Sequence, residues 1–403
     1  MLNRFALAVL LVAVSGGAQA GTLEDCKQGT DLDLAVKACT KLLRDSSKDA
    51  TLYIARGNAF ADKKDYALAI TDLSKAIELD AGSVAALNDR GSAYWHNNDD
   101  DKALADFSKA IELDPKSALS LTNRGLTYAR KPDYAKAIDD YNSAIAANIK
   151  YIDAYLNRGI AYENRGEHDL AIKDYDKVVS LDSHYSNVYF HRARTYENQG
   201  DLDRAIEDLD KAIEEDAADE DGYVSRGQIY AKKKNYIRAI ADFRRALDLS
   251  PNSVVALLSR GDAFLSMDRF DAAIADYSKA ISLDARNGGA YRGRAVAFSN
   301  LEIDQRALAD YSKAIEIDAN DADSLNNRAL ILLKDGKIAP ALADAERAVV
   351  ADGKDSRKLD TRAQVYEALG RKDDAIADYR RALKLNPNEV SSVEGLKRLG
   401  AGS

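Results

Sequence analysis

Residues Ala275–Ile281 read ADYSKAI, and residues Ala309–Ile315, thirty-four positions later, read the same. A string repeated at that interval marks a modular chain, so self-similarity is tested before single elements are assigned. One register fits most of the sequence. A 34-residue block starting at Ala50 is followed without a gap by nine more, at Val84, Ala118, Ile152, Ser186, Glu220, Val254, Gly288, Ala322 and Ser356, and the tenth ends at Glu389. Block position 8 is Gly or Ala throughout, from Gly57 to Ala363. Position 20 is Ala in all ten, position 27 is Ala in nine with Val178 the exception, and position 11 is aromatic in nine with Leu332 the exception.

Within a block the apolar positions are 4, 8 and 11, then 20, 24 and 27. Both sets have i, i+4, i+7 spacing, which predicts two amphipathic helices. Turn residues separate them, as in Lys63-Lys64-Asp65 and Asn198-Gln199-Gly200-Asp201. Pro115, Pro251 and Pro387 fall at position 32, where proline ends the second helix. Pro132 sits in the turn inside its block and Pro340 in the first turn of a second helix, so neither breaks an element. Small residues at 8, 20 and 27 let the paired backbones approach closely. One helix pair cannot bury such stripes alone, so blocks must stack on their neighbours.

The pattern resembles the tetratricopeptide repeat (TPR), with large, small and aromatic residues at 4, 8 and 11, Ala, aromatic and Ala at 20, 24 and 27, and Pro at 32. The likeness covers Ala50–Glu389. It implies an all-α fold, a right-handed α-solenoid of stacked helix-turn-helix repeats. One departure stands out. The family often has Leu at position 7, whereas here position 7 is Arg in all ten blocks, from Arg56 through Arg226 to Arg362. Position 23 is Asp in all ten, from Asp72 to Asp378, and supplies the Asp of ADYSKAI. In a hairpin turning near position 15, positions 7 and 23 lie level, so a ladder of partly buried Arg–Asp pairs is expected. Arg does not deprotonate, which makes such pairs structural rather than acid–base sites.

The flanks read as processing and capping segments. MLNRFALAVLLVAVSGGAQA carries Arg4, an apolar run from Phe5 to Val14 and Ala18-Gln19-Ala20, the pattern of a signal peptide cleaved after Ala20. A membrane anchor would need about 20 apolar residues, twice that run. Residues 21–49 hold a degenerate capping repeat, with Thr22 and Ala38 where the ion pair would stand, and residues 390–403 hold a capping helix and tail. Val390, Val393, Leu396 and Leu399 fall on one face of that helix. Cys26 and Cys39 occupy positions 11 and 24 of the degenerate block. Export favours a bridge between them, but their positions are about one turn out of level, which a shortened first helix would resolve. Export, the early cysteine pair and the Arg-Gly blocks together resemble TPR proteins of Gram-negative envelopes, implying a periplasmic location.

Composition restricts function. The net charge is −9, or −10 without Arg4, which argues against nucleic acid or an anionic membrane as partner. No later segment is apolar enough to insert in a bilayer. Four scattered histidines give metal or triad chemistry little to build on, Asp-rich runs such as Asn97–Asp101 lack calcium-loop spacing, and ten uninterrupted blocks leave no loop for a catalytic site. No catalytic, cofactor or metal residue is expected, and the twenty-one tyrosines mostly fall at core positions.

The remaining surface is the first-helix face that the resemblance assigns to extended peptides, positions 2, 5, 9, 12 and 13. It carries Trp95, Leu126, Arg130, Leu156, Ile160, Phe190, Arg194, Val224, Lys232, Leu258, Leu265 and Val296, with Glu163, Glu197, Asp262 and Arg292 interleaved. These apolar groups either line a ligand groove or bury against the next block. The expected function is a non-catalytic scaffold or assembly factor that binds a protein segment. A scaffold for cell-wall polymer or polysaccharide-export machinery is the alternative, for which only Trp95 offers an exposed aromatic. An enzyme would need a grafted domain or a polar constellation. The partner, the pathway and the oligomeric state are not encoded legibly.

Overall fold

The computed structural model describes residues 22–27 and 30–402, so the expected signal peptide lies outside the described residues. Among the described residues there are 23 helices and no strand. Each block begins on the first residue of a helix, as in Ala50–Asp62, Val84–His96 and Ser186–Asn198, and a second helix follows at positions 17–30, as in Tyr66–Leu79. No described helix is long and apolar enough to cross a membrane.

The turn inside each block has one cause. Position 15 takes left-handed backbone, at φ 71–80° in Gly166, Gly200, Gly336 and Gly370 and 56–65° in Lys64, Asn98, Lys234, Asp268 and Glu302. That conformation lets the position-16 N–H donate back to the position-11 carbonyl, as in Asp65 to Phe60 at 2.8 Å and Lys337 to Leu332 at 2.8 Å. This is a Schellman stop, and it reverses the chain after a fixed helix length. Asp or Asn at position 31 closes the second helix differently, its carboxylate or amide oxygen accepting from the N–H two residues on, as in Asp80 to Gly82 at 3.0 Å.

The described residues form two compact units, one up to residue 204 and one from residue 205. Within each, helices pack on their sequence neighbours, giving an all-α solenoid of stacked pairs. Every position-20 alanine is fully buried, and the position-24 rings Phe107, Tyr141, Tyr175, Phe243, Tyr277, Tyr311 and Tyr379 are at most 1% exposed. Small residues at one level lie against rings at the next, as Gly125 does against Tyr141.

The Arg–Asp ladder takes a definite form. In nine blocks both members share a unit and pair bidentately, Nε and Nη2 of Arg reaching the two oxygens of Asp at 2.6–2.9 Å. The aspartates are 3–7% exposed. In seven of the nine the remaining nitrogen Nη1 reaches position 25 of the preceding block, Thr40, Ser74, Ser108, Asn142, Asp210, Ser278 or Ser312, at 2.6–3.2 Å. Each of these arginines therefore joins three helices: its own pair and the one before. Leu at position 7 could not do this. Arg260 has Arg244 at that place, which cannot accept, and keeps only its own Asp276.

At the N-terminal end, Cys26 and Cys39 are joined, with Cα atoms 4.8 Å apart. The first helix of the degenerate block is only Leu23–Lys27, the shortening that the register requires. At the C-terminal end, Val390–Arg398 buries Leu396, but Val390 is 66% exposed and does not share the packed face expected for it.

Candidate functional site

In the second unit, the first helices of the last five blocks are Glu220–Lys232, Val254–Leu265, Gly288–Asn300, Ala322–Lys334 and Ser356–Ala368. Their unpacked faces line two hollows. One, of about 440 Å³, has walls of Leu258, Leu265 and Val296, a floor at Gly289 and Gly293, and Asp262, Arg292, Asp323, Asn327 and Arg357 around it. The other, of about 410 Å³, includes Lys232, Tyr236, Ser259 and Ser266. Asp262 borders both.

Glycine shapes the larger hollow. The Tyr277 ring is 1% exposed and comes from the second helix below. A Cβ on Gly293 would lie 2.5 Å from the ring carbon bearing the hydroxyl, and one on Gly261 would lie 2.9 Å from the ring. Only glycine at 293 lets the ring pass beneath the groove, so its hydroxyl emerges and donates to Asp262 Oδ1 at 2.6 Å. Burial pushes the Tyr277 phenol up, and the facing Asp262 charge adds to the rise. Asp262 itself keeps an exposed edge, yet crowding by its neighbours raises its pKa by desolvation, offset partly by the Tyr277 bond and by Arg292.

The other charges around this hollow are paired. Arg292 donates to Asp321 at 3.1 Å, Arg357 holds Asp355 through two bonds of 2.6 and 3.1 Å, and Asp323 accepts from Lys358 at 2.8 Å. Lys358 is 2% exposed and also donates to Asp355 at 2.6 Å. Hydrogen bonding to Lys358 lowers the pKa of Asp323.

The structure divides the sequence-derived groove residues. Leu258, Leu265 and Val296 line the larger hollow and exposed Lys232 the second. Val224 is 6% exposed and Leu156 8% exposed, so both belong to the core. Val224 sits against Ala246 of its own block and Ala256 of the next, alanines that leave it a socket. In the first unit Leu126, Ile160 and Phe190 are half-buried. Trp95 is not an open platform. The Arg130 guanidinium lies 4.3 Å from its ring centroid, donates to its carbonyl at 2.8 Å and pairs with Asp100. Arg194 is engaged by Glu163 through bonds of 2.7 and 3.1 Å.

Sequence reasoning missed the hydroxyls. Tyr175 donates to Glu163 at 3.1 Å while Arg194 holds the same carboxylate, and Tyr379 donates to Glu367 at 2.8 Å while Arg398 does likewise. The signal was Tyr at position 24 with an acid at position 9 or 12. A second overlooked signal was Gly at positions 1, 2 and 6 of the block starting at Gly288. Together the lining offers apolar contact, two carboxylates, three cationic side chains and several amide and hydroxyl groups, the means of recognition. Among the described residues no group of His, Cys, Asp and Glu is arranged to hold a metal ion.

Comparison with solved structures returns helical-repeat proteins. MamA is 30% identical, over 42% of this chain and 92% of its own, with a TM-score of 0.38. YrrB, described as a TPR protein with an unusual peptide-binding site, is 26% identical over 46% and 95%, with a TM-score of 0.39. Yeast Tom70 is 17% identical over 92% of each chain, with a TM-score of 0.48. No curated protein sequence matches significantly. Tetratricopeptide repeat profiles match residues 28–84, 54–118, 88–152, 152–185, 190–254, 258–322, 310–343 and 361–389. With the profiles spanning most of the sequence and the blocks within each unit built as stacked helix pairs, the chain belongs to the tetratricopeptide repeat family.

Proposed function

We propose that the protein is a non-catalytic scaffold or assembly factor, exported to the periplasm of a Gram-negative bacterium, that receives an extended segment of a partner protein in the second unit's groove. The TPR fold is itself a scaffold suited to protein–protein contact. The observation that carries the finer reading is the 440 Å³ hollow, where Leu258, Leu265 and Val296 form an apolar wall beside polar groups. Apolar burial supplies affinity in such a site and the polar rim supplies orientation. A polymer-binding role is less well supported, because the Trp95 ring face is occupied by Arg130.

Replacing Leu265 and Val296 together by Ser tests this. Both side chains are only half-buried, so the melting temperature should fall by no more than a few degrees. Partner capture, read by crosslinking and mass spectrometry of the mature chain in periplasm, should drop at least about tenfold, the worth of some 1.4 kcal/mol of lost apolar contact. Undiminished capture by a folded variant would remove the groove from the function.

A further inference from the structure

We infer that Asp262 is the anchor for a basic side chain, Lys or Arg, on the segment that the groove receives. The inference rests on the groove reading and adds the chemistry of the bound residue. Of the four charged side chains bordering the larger hollow, Arg292, Asp323 and Arg357 each have an ion-pair partner at 2.6–3.1 Å. Asp262 has none among the described residues. Its one side-chain bond comes from a neutral hydroxyl, that of Tyr277, and occupies Oδ1. Its second oxygen accepts no hydrogen bond among the described residues, and the residue borders both hollows.

The walls fit the same ligand. A basic side chain is an apolar stem with a charged tip, and it binds best where the stem finds apolar surface and the tip finds a carboxylate. Leu258, Leu265 and Val296 supply the first, Asp262 the second, and Gly289 and Gly293 leave the floor open. An acidic residue would meet Asp262 as a like charge, and a purely apolar one would bury the carboxylate unpaired.

The energetics of the apo chain agree. Desolvation raises the folded-state pKa of Asp262 above its usual 3.8. A raised carboxylate pKa means that the folded state binds the extra proton, so this group's contribution to stability falls as pH rises through the window above 3.8.

The test uses the mature full chain and positional-scanning pools of acetylated, amidated nonapeptides, each pool fixed at one position with Lys, Arg, norleucine or Glu. Immobilised wild type should retain Lys and Arg pools at least tenfold over norleucine and Glu pools. Asp262→Asn should abolish that preference, hold norleucine pools within twofold of wild type and melt no lower at pH 7. Asp271→Asn, on an exposed part of the second helix, should leave the preference intact. A wild type without basic preference, or an Asp262→Asn variant that retains it, overturns the assignment. If the Leu265→Ser, Val296→Ser chain loses retention while Asp262→Asn keeps its preference, the groove reading stands and the Asp262 assignment falls. If no pool is retained, or that double variant retains all of them unchanged, both fall.

Discussion

Arg226→Ala is expected to lower local stability by about 3–5 kcal/mol, the usual cost of breaking a buried ion pair from one side. Asp242, 7% exposed, would lose two N–H donors at 2.7 and 2.9 Å, and Asp210 one at 2.6 Å. Asp210 is half open to water and recovers by solvation, so most of the loss lies at Asp242. Arg226→Leu combined with Asp242→Leu should restore much of it, since no charge is then left buried and Leu is common at position 7 of the family. Helix pairs in a repeat array depend mainly on their neighbours, so the damage should appear as local opening rather than whole-chain unfolding. Amide hydrogen exchange across residues 220–253 should accelerate by at least about a hundredfold in the single variant, equivalent to about 2.7 kcal/mol, and much less in the double. Unchanged exchange in Arg226→Ala would reduce the pair to a surface contact worth under about 1 kcal/mol.

Tyr277→Ala should be comparably damaging, at about 3–5 kcal/mol. The ring is 1% exposed, and the residues flanking it, Gly261 and Gly293, have no side chains that could relax into the cavity. Tyr277→Phe keeps the ring and removes only the hydroxyl to Asp262, an exchange worth about 1 kcal/mol with water as substitute. Urea denaturation should therefore separate the two variants by several kcal/mol. A Phe variant as unstable as the Ala variant would show that the hydroxyl, not the ring, holds this layer.

The repeat register was legible because the packed positions recur at fixed places: Gly or Ala at 8, an aromatic at 11, alanine at 20 and 27, and proline at 32 in three blocks. The pairing of positions 7 and 23 was equally readable, since two charges completing apolar stripes must meet. What the pattern did not show was the third arm that most of these arginines extend, because the position-25 residues that receive it vary among Thr, Ser, Asn and Asp and share only an acceptor oxygen. Helical periodicity also assigns a residue to a face but not to a depth. Leu156 and Val224 fell on the groove face, yet small neighbours or a close helix drew them into the core. Trp95 was legible as an aromatic, but its cover, Arg130, lies a block away.

The central claim, that the first-helix face of the second unit receives a partner segment, is tested most directly by photocrosslinking in living cells. A photoreactive residue at Val296, in the groove, is compared with one at Ile237, an exposed position on a second helix. The groove position should yield an adduct with one discrete protein, mapped by mass spectrometry to a single short segment, and Ile237 should not. Adducts to that protein from Ile237 alone, or none from Val296 while the chain remains folded, would contradict the claim.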